Sequence, residues 1–138
     1  MIYLLDLNYT LVTNSLEKKD KYIDQINQEL YDEDLVNFLK GKKVILITAR
    51  PEKYKDVTML KISRDTSLDF INAYFNIYNL PPYMLKGKIF KELIQPLYKD
   101  ETFFAIESNP RTRGVYKTLG IDSMDKVTFK INFINHAK

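Results

Sequence analysis

The chain has no cysteine, an absence that removes disulfides, thiolate metal sites and cysteine nucleophiles together. Long apolar runs are missing too. None approaches the ~18–20 residues that a membrane-spanning helix needs, so no membrane partner is expected. The first residues, Met1-Ile2-Tyr3-Leu4-Leu5-Asp6, have neither a positively charged start nor a small-residue cleavage site. They do not read as a signal peptide, and a cytoplasmic location is the expectation. Gly/Ser linkers, internal repeats and low-complexity tracts are lacking, which points to a single domain over residues 1–138. Charge of one sign is not in large excess: 21 basic against 18 acidic residues leave +3. That is too mild to indicate nucleic acid by itself, although it permits a phosphate-bearing partner.

What is present is globular composition, 45% apolar and 28% charged, over a length that buries one continuous core. Ile2–Leu5, Val44–Ile47 and Phe103–Ile106 are short continuous apolar runs, the pattern of strands covered on both faces of a parallel sheet. Phe70–Ile77 leans towards a further strand through its aromatic and β-branched content. Val127–Phe133 alternates Val127, Phe129, Ile131 and Phe133, which predicts an edge strand with one solvated face. Between the runs lie helical patterns. Ile23, Ile26 and Leu30, then Leu35, Phe38 and Leu39, precede a stop at Gly41. Pro51 opens a helix with a Tyr54, Val57 and Leu60 stripe. Leu85–Leu97 follows Pro81-Pro82, and Arg111–Leu119 ends at Gly120. Alternating strands and helices predict an α/β three-layer sandwich, with a mainly parallel, Rossmann-like sheet of about five strands flanked by helices.

In such sheets ligands bind beyond the carboxyl ends of the strands, where strand order reverses. Three polar segments occupy such ends: Asp6-Leu7-Asn8-Tyr9-Thr10, Thr48-Ala49-Arg50 and Glu107-Ser108-Asn109. A carboxylate at Asp6, beside partly desolvated surroundings, suits a hard cation or attack on phosphorus. Glu107 could supply a second carboxylate to the same Mg²⁺. Thr48 offers a hydroxyl donor at a helix start that favours an anion, and reads equally as a cap. A lysine within Lys86–Lys91 could neutralise charge on a transferring phosphoryl group. Asn8 reads equally as a turn residue. Arg50, Arg111 and Arg113 read more readily as solvated than as substrate-binding, with Arg50 the one that its position favours for a role, and His136 has no partner in the sequence.

Asp6-Leu7-Asn8-Tyr9-Thr10-Leu11 resembles motif I (DxDxT) of the haloacid dehalogenase superfamily. Ile45-Leu46-Ile47-Thr48-Ala49-Arg50 resembles motif II, and Ala105-Ile106-Glu107-Ser108-Asn109-Pro110 resembles motif IV. For the motif III lysine, Lys86 fits best and Lys88 second. The resemblance spans Met1 to about Gly120. It implies a Mg²⁺-dependent phosphohydrolase in which Asp6 attacks phosphorus, with Asp6, Asn8, Thr48 and Lys86 as the catalytic set. It implies phosphate contacts around Leu7, Ala49, Arg50 and Lys88. The metal would lie among Asp6, Asn8, Glu107, Ser108 and Asn109. No separate cap domain fits between the motifs, so an open site is expected, with a phosphorylated small molecule or macromolecular end as substrate. A Tyr at position 9 is found in compact members that include protein-type and nucleic-acid-end phosphatases.

Two departures stand out. Asn8 replaces the family's second Asp, so the backbone carbonyl remains but the proton donor is lost. That assistance is typically worth ~10²–10⁴-fold in rate. Ser108 stands where the family often has a metal-binding Asp. A slow or activated-phosphate enzyme and a silent phosphate-ligand or protein-binding module are both open on this reading.

Overall fold

In a computed structural model that describes residues 1–135, the apolar runs pair into one open, parallel sheet. Its strands are β1 (Ile2–Leu5), β2 (Val44–Pro51), β3 (Asn72–Asn76), β4 (Phe103–Ile106) and β5 (Asp122–Met124), in the order β3-β2-β1-β4-β5. The central strands read as unbroken apolar runs because both faces are covered. On one face α2 (Glu33–Leu39), α3 (Lys55–Asp65) and α6 (Lys126–Phe129) lay Leu35, Leu39, Ile62 and Phe129 against Leu5, Leu46 and Ile106. On the other, α4 (Pro82–Ile89) and α5 (Pro110–Thr118) lay Leu85, Ile89 and Tyr116 against Leu4, Ile45 and Ala105. The short α1 (Tyr22–Gln28) leans on α3. This is the expected three-layer α/β architecture. His136 lies outside the described residues. Among the described residues, no helix is long and apolar enough to cross a membrane.

Helix ends follow local chemistry. Asp32 caps α2 by accepting from Leu35 N at 3.1 Å, and Gly41 adopts a left-handed φ of 78° just after it, as its place predicted. Pro82 and Pro110 open α4 and α5, where a missing N–H costs nothing. Pro51 ends β2 and stands just before a 3₁₀ turn, Glu52–Tyr54, that runs directly into α3 at Lys55.

Three expectations are corrected. Val127–Phe133 is helical: Asp125 caps α6 by accepting from Thr128 N at 3.0 Å, and Lys130–Ile134 continues the helix. Residues two apart alternate on a strand, but residues four apart share a helix face. Phe129 and Phe133 meet with centroids 4.9 Å apart, while Val127 and Ile131 point to solvent. The fifth strand is Asp122–Met124 instead, a polar-looking segment shaped by pairing with β4. On α3 the Tyr54, Val57 and Leu60 stripe does not face the core. Thr58, Lys61 and Ile62 do, because a buried polar cluster lies beneath. Of the apolar residues read before α2, Ile26 is buried while Ile23 and Leu30 are exposed; the polar Gln25 and Glu29 are buried beside it.

Candidate active site at the carboxyl ends of the strands

Strand order reverses at β1, since the chain runs outward to β2 and β3 and then returns to β4 and β5. The crevice rule therefore selects the β1–β4 boundary. Leu5 pairs with Ile106, so Asp6 and Glu107 come next along the same row, and both side chains point towards α4. Lys86 on α4 closes the arrangement from above. Its Nζ lies 2.8 Å from Asp6 Oδ1 and 2.6 Å from Glu107 Oε1, and all three groups are buried. Gly87 makes this approach possible: a Cβ there would meet Val115 Cγ1 at 2.9 Å, so α4 can sit this close to α5 only without one.

The second oxygen of Asp6 gathers three donors. Thr10 Oγ1 donates at 3.0 Å, Ser108 Oγ at 2.7 Å and Ser108 N at 3.3 Å. Burial opposes charge on this carboxyl, yet the Lys86 ammonium and these hydrogen bonds outweigh it, and the Asp6 pKa falls below the usual carboxylate range. Burial likewise opposes charge on Lys86, but Asp6 and Glu107 hold its pKa above the ordinary lysine value. Glu107 fares differently. Burial lifts its pKa, Lys86 and the Asn109 N–H (3.0 Å) offset only part of that, and the Asp6 charge adds to it, so it rises to about 7. One lysine serves two carboxylates. The better-solvated-by-donors Asp6 keeps its charge, and Glu107 carries the burden. Tyr116, buried beneath, has a hydroxyl without a hydrogen-bond partner, and burial pushes its pKa up.

The loop after β1 is shaped for this. Leu11 N donates to Asp6 O at 3.3 Å and Val12 N to Leu7 O at 2.9 Å, closing a wide turn. Inside it Tyr9 takes a left-handed φ of 61° and gives its N–H to Ser15 Oγ at 2.8 Å. Leu7 is fully buried in the core, so only its backbone reaches the site. Ser108 Oγ also lies 3.4 Å from the Asn8 carbonyl oxygen, which brings Asp6 Oδ2 and that carbonyl around a single hydroxyl. Arg113, expected to be solvated, instead pins the β4 loop by donating to Glu107 O at 2.9 Å and Ser108 O at 3.0 Å.

Several expected site residues lie elsewhere. Arg50, expected at the phosphate, has a fully buried side chain paired with Glu29 through two contacts, 3.0 and 2.5 Å. It also donates to Thr58 Oγ1 at 3.0 Å and to Asn8 Oδ1 at 2.9 Å. Both terminal nitrogens of this guanidinium are held by internal acceptors, whereas its buried Nε has no partner; the group is a fixture of the fold, and it holds the Asn8 side chain with it. Lys88 is half-exposed and pairs with Glu92 at 3.1 Å, away from Asp6. Asn109 turns its Oδ1 to Arg111 N and Thr112 N as the α5 cap. Thr48 is buried and accepts the Arg50 N–H at 3.1 Å, in the irregular end of β2 that also holds Ala49. Thr10, inside the motif already read, and Glu29, in a polar stretch with no distinguishing signal, were missed.

Two clefts lie away from Asp6. One of about 910 Å³ lies beside Glu29 and Tyr31, and one of about 750 Å³ lies between α4 and α5. Among the described residues, no group of three or more His, Cys, Asp or Glu side chains is placed to share a metal ion.

No family model matches the chain, and no curated protein matches it. Solved structures do share its fold. A chain of a structure described as the Pnkp1/Rnl/Hen1 complex superposes with a TM-score of 0.70 at 20% identity, over 90% of this chain and 45% of that one. A chain of the Pnkp1/Rnl/Hen1 RNA repair complex gives 0.69 at 18% identity, over 90% and 41%. The present chain thus spans under half the length of the chains it matches.

Proposed function

We propose that this domain is a Mg²⁺-dependent phosphohydrolase of the haloacid dehalogenase type, working through an aspartyl-phosphate on Asp6. The observation that carries the reading is the buried Asp6 carboxyl, clamped by Lys86, Thr10 and Ser108 at the strand-order switch point, an arrangement that favours its charged form. A carboxylate of depressed pKa stays deprotonated at neutral pH, as a nucleophile must. In the first step an Asp6 oxygen bonds to phosphorus and the bond to the leaving oxygen breaks. Lys86 balances the negative charge gathered by two carboxylates and a phosphoryl group. Water then attacks phosphorus, frees phosphate and regenerates the carboxylate. Asn8 has no proton to give, so the leaving oxygen takes one from water or departs as a stable anion. Aryl and anhydride phosphates are therefore favoured over alkyl ones.

The donor set suits Mg²⁺. One carboxylate oxygen, one backbone carbonyl and one hydroxyl converge at Asp6, Asn8 and Ser108, and Mg²⁺ takes few protein ligands while keeping water and substrate oxygens. When bound it would supply charge neutralisation and orientation of the phosphate. Glu107 would ligate a metal only in place of its contacts with Lys86 and the Asn109 N–H, and Asp6 likewise only in place of some of its own donors.

A second reading, a binding module without turnover, is favoured by the neutral Asn8 and Ser108. One assay separates the two: phosphate release from an aryl phosphate with and without Mg²⁺, for the natural protein and Asp6→Asn. The phosphohydrolase reading expects Mg²⁺-dependent release that Asp6→Asn abolishes. Release by Asp6→Asn at the natural rate defeats it, and silence of both proteins favours the binding module. The fold shared with RNA repair chains and the absence of room for a cap between motifs support a macromolecular phosphate, such as a nucleic-acid end, over a small one.

A further inference from the structure

Aromatic rings paired with cations stand on three of the loops that border Asp6. Tyr9, 48% exposed, follows Asp6 by three residues. Lys18 Nζ lies 5.3 Å from its ring centroid and donates to its hydroxyl at 3.3 Å. Tyr54, just after β2, packs edge-on against Tyr22 at 4.7 Å, with the Lys53 ammonium 5.1 Å from its centroid. Tyr22 in turn lies 5.2 Å from the Arg50 guanidinium that holds Asn8. Tyr83 precedes Lys86 on α4, and the Arg111 guanidinium, just after Ser108 in sequence, stacks 3.7 Å from its ring. Each ring is therefore tied within a few residues or contacts to the groups around Asp6. Cation–aromatic pairs of energetic weight occur about once per 70–80 residues. The described residues hold seven such pairs, and these three stand on separate segments at one end of the sheet, after β1, after β2 and at the start of α4.

We propose that this rim binds a single-stranded nucleic-acid end. Bases stack on Tyr9, Tyr54 and Tyr83, Lys18, Lys53 and Arg111 meet backbone phosphates, and the terminal phosphate reaches Asp6. The inference rests on the phosphohydrolase reading for what happens to that phosphate, and on the rim alone for binding. Flat rings with cations beside them suit a partner that offers a π-face and a phosphate at every step, and such stacking tolerates any base sequence. A phosphopeptide offers neither repeat. Glu17, Asp20, Glu52 and Asp56 are interspersed with the cations, so affinity draws more on stacking than on charge. With about three phosphates contacted, the slope of log affinity against log salt is expected near −2, at ~0.7 per phosphate for single strands.

The test is fluorescence anisotropy with metal chelated. It uses end-phosphorylated RNA and DNA oligonucleotides of about eight residues, a length within the usual site size, beside a nucleoside monophosphate and a phosphopeptide. The oligonucleotides are expected to bind at least tenfold more tightly than the monophosphate, and the two arms show which sugar is preferred. Tyr9→Ala, Tyr54→Ala and Tyr83→Ala should each weaken binding roughly 5- to 100-fold, the range for one stacked base. The matching Phe variants keep the ring and should retain affinity. Oligonucleotides bound no better than the monophosphate, Ala and Phe variants that behave alike, or a phosphopeptide bound as tightly would each overturn the proposal. The aryl phosphate assay stays separate. Release without oligonucleotide binding removes the rim and leaves the phosphohydrolase, whereas ring-dependent binding without release does the reverse.

Discussion

The Ser108 hydroxyl lies 3.4 Å from the Asn8 carbonyl oxygen while donating to Asp6 Oδ2 at 2.7 Å. The two positions at which the chain departs from the pattern it resembles thus meet beside the Asp6 carboxylate, Asn8 through its backbone carbonyl and Ser108 through its hydroxyl. The Asn8 side chain itself turns to Arg50, so of the two positions only an acidic side chain at 108 would add charge directly beside Asp6. With Asn and Ser the same space is stitched by hydrogen bonds alone. Both departures act on one feature, the charge available for a metal and a proton.

Restoring that charge is expected to restore rate. Asn8→Asp supplies a proton donor beside the leaving group, and hydrolysis of an alkyl phosphate should rise by up to ~10²–10⁴-fold, with a smaller gain for an aryl phosphate. To act as donor the new carboxyl must turn from Arg50, which lies 2.9 Å from the present amide oxygen and favours its ionised form. Measuring kcat/KM for both substrates checks this, and equal gains on both would contradict the leaving-group argument. Ser108→Asp adds a metal ligand, so the Mg²⁺ concentration at half-maximal turnover should fall.

Lys86 is expected to matter for stability as well as for chemistry. Lys86→Met leaves the Asp6 and Glu107 carboxylates buried without their shared cation, and breaking a buried pair in this way typically costs ~3–5 kcal/mol. Urea unfolding at neutral pH would show it. Loss of the cost on adding Glu107→Gln would tie it to the uncompensated charge.

The shifted groups also set a pH profile. The Glu107 pKa is raised from its ordinary 4.5 to about 7, so between those values the folded protein holds a proton that the unfolded chain has released. Stability therefore falls as pH rises through that window. Asp6 is shifted downward from 3.8, so its contribution is lost only in more acidic solution, as pH drops through its lowered folded value. Denaturant unfolding in metal-free buffer is expected to show the downward slope between about pH 4.5 and 7, and Glu107→Gln should flatten it.

The strand ends bearing Asp6 and Glu107 were legible because a polar residue directly after an apolar run marks the end of a covered parallel strand. Their meeting followed from the topology that alternating elements imply. Lys86 was separable from Lys88 only in three dimensions, where two positions along α4 turn one side chain onto the carboxylates and the other to Glu92. Arg50 misled for a related reason. Its partner Glu29 lies 21 residues away in a stretch that reads as solvated surface, and nothing local shows that these two charges bury one another. Val127–Phe133 misled because the four-residue spacing of Phe129 and Phe133 satisfies a strand and a helix alike, and only the Asp125 cap and the aromatic cluster around Phe38 and Phe104 decide between them.

The buried Arg50–Glu29 pair gives a further expectation. Arg50→Met should destabilise by ~3–5 kcal/mol by stranding Glu29, and Glu29→Leu combined with Arg50→Met should recover much of it, since an apolar pair removes both desolvated charges. A double-mutant cycle in urea measures the coupling. Because Arg50 also holds Asn8, the double variant should remain folded while losing turnover.

Acid quenching of the protein during turnover of an aryl phosphate with Mg²⁺, followed by mass spectrometry of the peptide that carries Asp6, reads the proposed intermediate itself. The phosphoryl group should be found on Asp6 in the natural protein and be absent from Asp6→Asn, which should also release no phosphate. A phosphoryl group on another residue, or steady release by Asp6→Asn, would contradict it.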